Sequence, residues 1–380
     1  MPRRGDWRFI LQAIDGSGTP GAILHPDLPL SGVSITESVN ATNELTATIS
    51  PREKLIKPML NNWGTLIWAE AAGKIRGGGI LVHKKRSGSA IELECMGLHG
   101  YAYGMPYGPN RADSIFFVEA DPLNIYRHIW TYLQGKPGGN LGLTVDPLLT
   151  GLKIGVELAQ GEFDTQNGPI SFESGPYRLS WYETPDLGKN IDDLASDTPF
   201  EFRETSSWNT AGTGVDTRIQ LAYPRFSAKR TDLRFVVGDN LIIPPDVEDS
   251  GDDYASEMML LGAGEGRTMV LGSASLPRNG LLRRVAVTED KTIRTATAAN
   301  NRAMNLLRAR IQMGDITSIT ALDHQMAPLG SVRPGDEIPI SLDYDWQEGE
   351  SFWVRVQSIS YSPDQGNNYV MSVVRSDKVA

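Results

Sequence analysis

The sequence contains a single cysteine, Cys95, among its 380 residues. One cysteine cannot form an intrachain disulfide, and a cysteine-based zinc site needs several thiolates. Cys95 ends an alternating run, Ile91-Glu92-Leu93-Glu94-Cys95, which has the period of a strand with one buried face. We therefore expect Cys95 to be an inert thiol in the core of a sheet.

Long apolar runs are also missing. No segment approaches the ~18 consecutive apolar residues of a membrane-spanning helix. Near the amino terminus the apolar run is only Phe9-Ile10-Leu11, whereas a secretory signal has an apolar stretch of roughly 7–15 residues. The sequence therefore predicts a protein without a membrane span that is made and folded in a cytoplasm.

Histidine is scarce as well, and none of the five lies in a known catalytic or metal-binding spacing. There is no His-Glu-x-x-His pair and no Gly-x-Ser-x-Gly turn. His128 falls in a helical stretch, where we expect either a surface residue or one satisfied by its neighbours. The sequence predicts no catalytic residue, no cofactor-binding residue and no metal ligand, and hence a protein that is not an enzyme.

Two stretches resemble binding motifs superficially. Residues 246–253 (DVEDSGDD) are densely acidic, and we interpret them as a solvated loop, with a divalent-cation site as the alternative. Residues 262–266 (GAGEG) resemble a dinucleotide fingerprint, but the third glycine follows the second by two positions instead of three. A strand-like segment comes next, so no helix terminus is present to bind phosphate. We predict a hairpin turn with positive φ there.

The formal charge of −10 argues against a nucleic-acid-binding protein, because affinity for phosphates comes from lysine and arginine. An acidic balance is compatible with a conduit that repels DNA in transit. Adjacent carboxylates such as Asp192 and Asp193 are not expected to act as a pair, since neighbours on a helix point apart.

Strand signals dominate the first hundred residues. Six short segments combine alternating apolar residues with turn residues at their ends, which is typical of a small barrel or sandwich. They are Trp7–Ile14, Gly32–Glu37, Glu44–Ser50, Thr65–Glu70, Arg76–His83 and Ala90–Met96. Lys84-Lys85-Arg86-Ser87-Gly88-Ser89 is predicted to be a basic hairpin loop.

Helical signals appear in the middle of the chain. Asp121 and Pro122 form a good helix start, Ile125, Ile129 and Leu133 recur at helical spacing, and Gly135 fits a C-cap. A second helix is predicted from Leu187 to Ala195. We interpret residues 105–200 as an inserted mixed α/β module between a first β domain, 1–104, and a second, 201–380.

The second β domain is predicted to contain one long helix, Thr292–Met313, ended by Gly314. Its apolar face is expected to include Ala296, Ala303 and Leu307. The remaining segments are predicted strands: Phe200–Glu204, Thr217–Tyr223, Leu233–Val237, Met258–Leu261, Thr268–Ser273, Leu282–Thr288, Ile316–Leu322, Glu337–Leu342, Phe352–Ser360 and Tyr369–Arg375. The fold class is thus mainly β (α+β).

The order of these features resembles the tail-tip hub proteins, often called minor tail proteins or baseplate hubs, of long-tailed siphophages that infect actinobacteria. The stretches that carry the resemblance follow one another along nearly the whole chain. They are residues 45–50 (LTATIS), 77–82 (GGGILV), 191–195 (IDDLA) with 199–202 (PFEF), 262–266 (GAGEG) and 332–338 (VRPGDEI).

The resemblance implies two tail-tube-like β-barrels and a homotrimer that forms a pseudo-sixfold ring in the virion tail tip. It implies as partners the distal tail ring protein, the tail tube and tape-measure proteins, and a central tip fibre or other minor tail proteins. DNA would only pass through, without specific binding. The family has no catalytic residues, and since the sequence stops at Ala380, just after a strand, we expect no fused wall-cutting enzyme. We further expect the lumen to be acidic.

Two other functions stay open from the residues alone. A carbohydrate-binding or cell-wall-degrading tail protein could present aromatic platforms, although the eight tryptophans are scattered, which favours packing in cores and interfaces. A hexameric ring protein located directly above the hub is the other alternative.

Overall fold

A computed structural model describes residues 7–377 apart from 109–113, 158, 166–167, 243–246, 249–250, 253, 292, 294, 312–314, 343–348 and 367. Strands make up 42% of the chain and helices 16%, so the predicted mainly-β class is confirmed. The chain forms two compact units: residues 1–226, 333–335 and 358–369, and residues 227–332, 336–357 and 370–380. The predicted boundaries at 104 and 200 both fall within the first unit, and the three-part division stays a prediction.

The first unit contains fourteen described strands, in chain order. They are β1 (Trp7–Ile14), β2 (Pro20–His25), β3 (Leu30–Ser38), β4 (Glu44–Ile49), β5 (Thr65–Ala71), β6 (Lys74–Ser87), β7 (Ala90–Met96), β8 (Ser114–Phe117), β9 (Thr144–Val145), β10 (Ala159–Thr165), β11 (Gly168–Ser174), β12 (Tyr177–Ser180), β13 (Glu201–Trp208) and β14 (Val215–Ala222).

Seven of these strands form an antiparallel sheet in the order β3-β4-β7-β6-β5-β1-β2. The end of a later strand, Ser358–Tyr361, pairs with β3 on its other side. Successive side chains of β1 point to opposite faces of the sheet, and both faces are covered. Phe9 and Leu11 are buried on one face, and Ile10 and Gln12 are buried on the other. The Gln12 side chain is paired there: its Oε1 accepts from the buried Trp68 indole N–H at 2.8 Å.

Three consecutive glycines bend β6 across its neighbours. Gly77, Gly78 and Gly79 all have positive φ, at 124°, 132° and 157°. The register of β5 and β6 shifts beside them, which marks a β-bulge. A Cβ on Gly78 would lie 2.1 Å from the carbonyl oxygen of Ile67, so only glycine fits the approach of the two strands.

The helices of the first unit start as their sequences predict. Helix α1, Pro122–Gln134, is capped by Asp121, whose side chain accepts from the Leu123 N–H at 2.9 Å. Helix α2, Leu187–Asp197, is capped by Asp186 and extends two residues beyond the predicted end. Apolar residues of both helices share a core with the sheet residues Ile10 and Trp68.

Smaller sheets complete the first unit. β13 and β14 form a hairpin, and the two-residue strand β9 joins it in parallel. β8 pairs with β12, and β10 pairs with β11. The sequence did not predict β2, which begins with a Pro-Gly pair that resembles a turn, or the short strands β8 to β12.

The second unit contains ten described strands, two of which extend into the first. They are β15 (Phe235–Val236), β16 (Val247–Glu248), β17 (Glu257–Leu261), β18 (Leu271–Ser275), β19 (Val285–Glu289), β20 (Asp315–Ile316), β21 (Ser318–Leu322), β22 (Glu337–Leu342), β23 (Glu350–Tyr361) and β24 (Asn368–Arg375). β22 pairs with β23 antiparallel and with β15 parallel.

The long helix of the second unit is shorter than predicted. Helix α3 spans Ala296–Arg310, because the Thr295 side chain caps it by accepting from the Ala298 N–H. Met313 and Gly314 lie outside the described residues. The predicted apolar face is partly wrong: Ala296 is exposed, and the buried stripe is Ala299, Ala303 and Leu307.

That stripe packs against one face of the sheet β18-β17-β19. Close approach is possible because a Cβ on Gly272 would lie 2.4 Å from the Ala299 backbone, so glycine is needed there. The predicted strand Thr268–Ser273 is wrong at its start, since residues 266–268 form a 3-10 turn and β18 begins at Leu271.

We expect Gly78→Ala to lower the free energy of unfolding by roughly 3 kcal/mol, because the new Cβ would overlap the Ile67 carbonyl in a strained backbone conformation. Urea unfolding followed by tryptophan fluorescence measures the change. Gly16→Ala is the matched control, since a Cβ at Gly16 meets nothing within 4 Å. Equal stability of the two variants would contradict the steric account of the bulge.

Candidate assembly surfaces

The residues singled out by sequence reasoning lie in ordinary structural environments. Cys95 is buried in β7, and burial raises the pKa of its thiol well above the usual range. The His128 Nε2 lies 3.0 Å from the Tyr107 hydroxyl, and burial lowers the pKa of the ring. His128 is therefore a histidine satisfied by a neighbour, one of the two roles predicted for it.

Half of the acidic stretch 246–253 lies outside the described residues, which include β16 and residues 251–252 of it. Counted from Asp246, Gly251 is sixth and Glu257 twelfth, the positions of glycine and glutamate in a calcium loop. Glu257, however, begins strand β17, and its two oxygens accept from the Arg283 guanidinium at 2.7 and 2.6 Å. Within the described ranges, no group of three or more His, Cys, Asp or Glu side chains is placed to hold a metal ion.

The glycine-rich segment 262–266 is a hairpin turn, as predicted. It joins the antiparallel strands β17 and β18. Gly264 and Gly266 have positive φ, at 101° and 55°. A Cβ on Gly264 would lie 2.8 Å from the Thr268 carbonyl oxygen. The turn is thus closed by its own backbone.

A buried carboxylate that the sequence did not predict lies on β13. Glu204 of β13 is 4% exposed, and its two oxygens accept from the N–H groups of Leu98 and His99, each at 3.0 Å. It therefore caps the 3-10 helix Leu98–Ala102. Burial raises the pKa of Glu204 to about 7. The sequence held one sign of this burial: Glu204 follows the apolar Phe202 by two residues, so on a strand both side chains point to the same face.

The His99 ring packs among aromatic side chains next to Glu204. It stacks on Phe202 with a centroid distance of 4.3 Å and an interplanar angle of 19°. Burial lowers the pKa of His99 to about 3, so the ring is neutral at physiological pH. The arrangement resembles a packed core more than a catalytic pair, since the Glu204 oxygens are used by backbone donors.

Glu37 is a second, part-buried carboxylate in the same unit. Burial raises the pKa of Glu37 to about 7, and the positive charges of Arg76, Arg333 and Arg203 oppose the rise. Arg203 is held firmly: its Nη1 donates to the Pro334 carbonyl at 2.6 Å, and its guanidinium lies 4.2 Å from the Phe226 ring centre. These contacts position strands instead of exposing a reactive group.

A polar cleft of about 340 Å³ opens on the β13-β14-β9 sheet. Its lining is rich in hydroxyl groups and includes no aromatic side chain: Thr144, Thr205, Ser206, Ser207, Asp216, Thr217, Arg218, Gln220 and Arg333. Arg218 is paired with Asp146. None of the eight tryptophans lines this cleft, so it can hydrogen-bond a polar ligand but offers no stacking platform.

The basic segment Lys84–Ser89 is mostly strand and not the predicted loop. β6 continues to Ser87, and only Gly88 and Ser89 form the turn. Lys84, Lys85 and Arg86 are exposed, and the Lys84 ammonium donates to the Leu60 carbonyl. Lys85 lies opposite Glu92 in the ladder, where opposite charges on neighbouring strands are favourable.

The second unit exposes an unusual apolar face. Met258 and Leu260 of β17 face α3, so Met259, at 37% exposure, points to the opposite side of the sheet. Val287 of the parallel partner β19 is 59% exposed, and Leu271 of β18 is 50% exposed. Contiguous exposed apolar residues of this kind commonly mark a surface that another molecule covers.

The fold can be compared with solved structures. No protein-family model matches the chain, and no curated protein matches it. Three solved structures correspond over nearly their full length: a 43 kDa tail protein of prophage MuSo2 from Shewanella oneidensis, a tail protein from Neisseria meningitidis MC58, and the prophage tail protein gp18 from Listeria monocytogenes EGD-e.

Their TM-scores are 0.60, 0.53 and 0.55, with 15%, 13% and 10% sequence identity. The alignments cover 98%, 97% and 98% of this chain and 100%, 96% and 95% of the three other chains. At these identities the likeness shows a shared fold. The chain therefore shares the fold of these three tail proteins. No helix among the described residues is long and apolar enough to cross a membrane.

We expect the stability of the protein to carry a pH dependence from Glu204. Its folded pKa of about 7 lies above the ordinary value of ~4.3, so the stability it contributes is fully present below that ordinary value and is lost as the pH rises through 7. The free energy of unfolding of Glu204→Gln, relative to wild type, should therefore rise between about pH 4.5 and 7.5, by up to roughly 3 kcal/mol.

Urea unfolding across this pH range measures the difference. Glu94→Gln, which changes an exposed carboxylate of β7, is the control and should run parallel to wild type. Parallel curves for wild type and Glu204→Gln would contradict the raised pKa.

Proposed function

We propose that this protein is a structural component of a phage tail and forms the hub of the tail tip as a homotrimeric ring. The observation that supports the proposal most strongly is the correspondence with prophage tail proteins along the full length of both chains. A shared domain alone would align with only part of each chain. The order of motifs that resembles tail-tip hubs points the same way.

The sheets of both units offer edges to neighbouring copies. In the first unit β2 is the last strand of the sheet, and in the second unit β18 and β19 flank β17 on either side. Edge strands expose backbone donors and acceptors, and a closed ring of copies is one way to cover them. The proposed partners are the distal tail ring protein, the tail tube and tape-measure proteins, and a central tip fibre or other minor tail proteins.

The proposed location is the virion tail tip, after assembly in the bacterial host. The buried Glu204 and the part-buried Glu37 serve the fold in this proposal, and the protein acts by binding other proteins and not by catalysis. DNA passes through the ring without being bound specifically. Three copies bring 3 × −10 = −30 formal charges, which suits a conduit for a polyanion.

We expect light scattering of the purified protein to give three times the chain mass, and its complex with the tail partners to contain three copies of the chain. Negative-stain images should show threefold rings. A sixfold assembly would favour the ring protein above the hub, and a protein that remains a single chain under every condition would contradict the hub.

We expect the channel of the assembled ring to be lined with a net negative charge. A cryo-EM map of the ring at side-chain resolution tests this directly. A lumen lined mainly by lysine and arginine would contradict the proposed conduit, because a basic wall would hold the DNA backbone.

A second candidate function is carbohydrate binding at the host surface, and the hydroxyl-lined cleft on β13 and β14 favours it. Sedimentation with purified cell-wall polysaccharide distinguishes the two functions. The hub predicts no binding. Binding by wild type that Arg218→Ala abolishes, while the exposed-arginine control Arg302→Ala retains it, would favour the carbohydrate-binding function.

A further inference from the structure

A loop of the second unit exposes leucine and arginine side by side. Residues 277–284, here called the leucine–arginine loop, are all exposed and include Arg278, Arg283 and Arg284. Leu282 is 86% exposed and Leu281 is 39% exposed. A single exposed leucine is common on protein surfaces, but two next to each other between arginines form a compact apolar and cationic tip.

The leucine–arginine loop is held in place at its base. The Arg284 N–H donates to the Ser256 hydroxyl at 3.0 Å, and the Glu257 N–H donates to the Arg284 carbonyl at 3.0 Å. Arg283 makes the two-pronged ion pair with Glu257 described above. Because these contacts fix the base of the loop, the two leucines are presented by a defined backbone, and less entropy is lost on binding than from a free tail.

The loop continues directly into the exposed apolar face of the second unit. Val285, at 38% exposure, begins β19, and Val287 lies beside Met259 in the parallel ladder. The Arg284 guanidinium is not paired with any described carboxylate. The surface that would fit this patch must therefore offer both apolar contact and negative charge.

Helix α2 of the first unit presents such a surface. Asp193 and Asp197 are exposed four residues apart, and Asp197 is the last residue of the helix. Like charges at this spacing repel each other, and a negative charge at a helix C-terminus opposes the helix dipole. No described cation pairs with either carboxylate, so both would be stabilised by an arginine from outside.

The same surface includes an aromatic contact. Tyr103 is 36% exposed, and its hydroxyl donates to the Asp192 carboxylate at 2.9 Å. Tyrosine beside carboxylates is well suited to receive leucine and arginine side chains, since aromatic and arginine residues are enriched at the centres of interfaces. We call Tyr103, Asp192, Asp193 and Asp197 the α2 surface.

We propose that the leucine–arginine loop of one copy docks on the α2 surface of a second copy. Local charge complementarity identifies the partner: Arg284 pairs with no described carboxylate, Asp193 and Asp197 pair with no described cation, and a second copy brings these opposite charges together. A contact between two different surfaces of the same chain is heterologous, and it forms a closed ring when the rotation between copies closes, here after three copies. This inference rests on the proposed function, because it names the contact through which the proposed ring would form.

Cross-linking between two variants tests the contact. Leu282→Cys and Asp193→Cys chains are mixed and treated with a short bismaleimide, and the native Cys95 does not react because it is buried. We expect a cross-linked dimer that contains one chain of each variant. Leu55→Cys is the matched control, because Leu55 is 85% exposed and belongs to neither surface. Equal cross-linking of the two leucine positions to Asp193→Cys, or none at either, would overturn the proposed contact.

Charge exchange provides a second measurement. We expect Arg284→Glu and Asp193→Arg each to weaken self-association by about tenfold or more, and the combination in one chain to restore most of it. Arg302→Glu, a change at an exposed arginine of α3, should leave association unchanged. A combined variant as weak as the single variants would overturn the pairing.

These results separate the inference from the proposed function. Threefold assemblies that none of these variants disturbs would show that the interface is elsewhere, while the hub would stand. A single chain with no cross-link under any condition would overturn both. Binding of wild type to vesicles of anionic lipid, lost in Leu282→Ser while self-association is unchanged, would show that the loop docks on membranes and overturn the protein contact.

Discussion

The position of β6 between β5 and β7 is the constraint on which the first unit depends. Its backbone pairs with both neighbours, and the pairing requires Gly77, Gly78 and Gly79, because a side chain at Gly78 would occupy the space of the Ile67 carbonyl. The bulge at these glycines lets β6 run on as a long strand, whose far end carries the exposed lysines and arginine. The packing of the core, the hydrogen bonds of Glu204 and the basic end of β6 all depend on the pairing of β5, β6 and β7.

Much of the fold could be predicted from local patterns, and the failures have physical causes. Asp121-Pro122 is a strong helix start signal, because the Asp121 side chain caps the first turn and the proline ring fixes φ at a helical value. Helix α1 begins there. The face of α3 was mistaken because its alanines surround the helix, so hydrophobic periodicity could not separate Ala296 from Ala299. The parallel pairing of β9 with β14 joins distant segments, and no local pattern encodes it.

The candidate surfaces were predictable to a smaller extent. The sequence shows which residues are charged, but not where their side chains lie. Glu204 looks like an ordinary strand glutamate. Only the tertiary structure shows that the backbone N–H groups of residues 98 and 99 bind its carboxylate in the core. The aspartates of α2 and the leucine–arginine loop likewise became candidate interface residues only when the structure showed that they are exposed. A surface that repels itself within one chain is naturally explained by a partner that carries the opposite charge.

The central claim is that the protein is a structural part of a phage tail, and imaging of intact tails tests it most directly. Cryo-EM of tails purified from the phage or induced prophage that encodes this chain should show its fold at the tip, in three copies around the channel. Tails whose maps and peptide content lack this chain entirely would contradict the account.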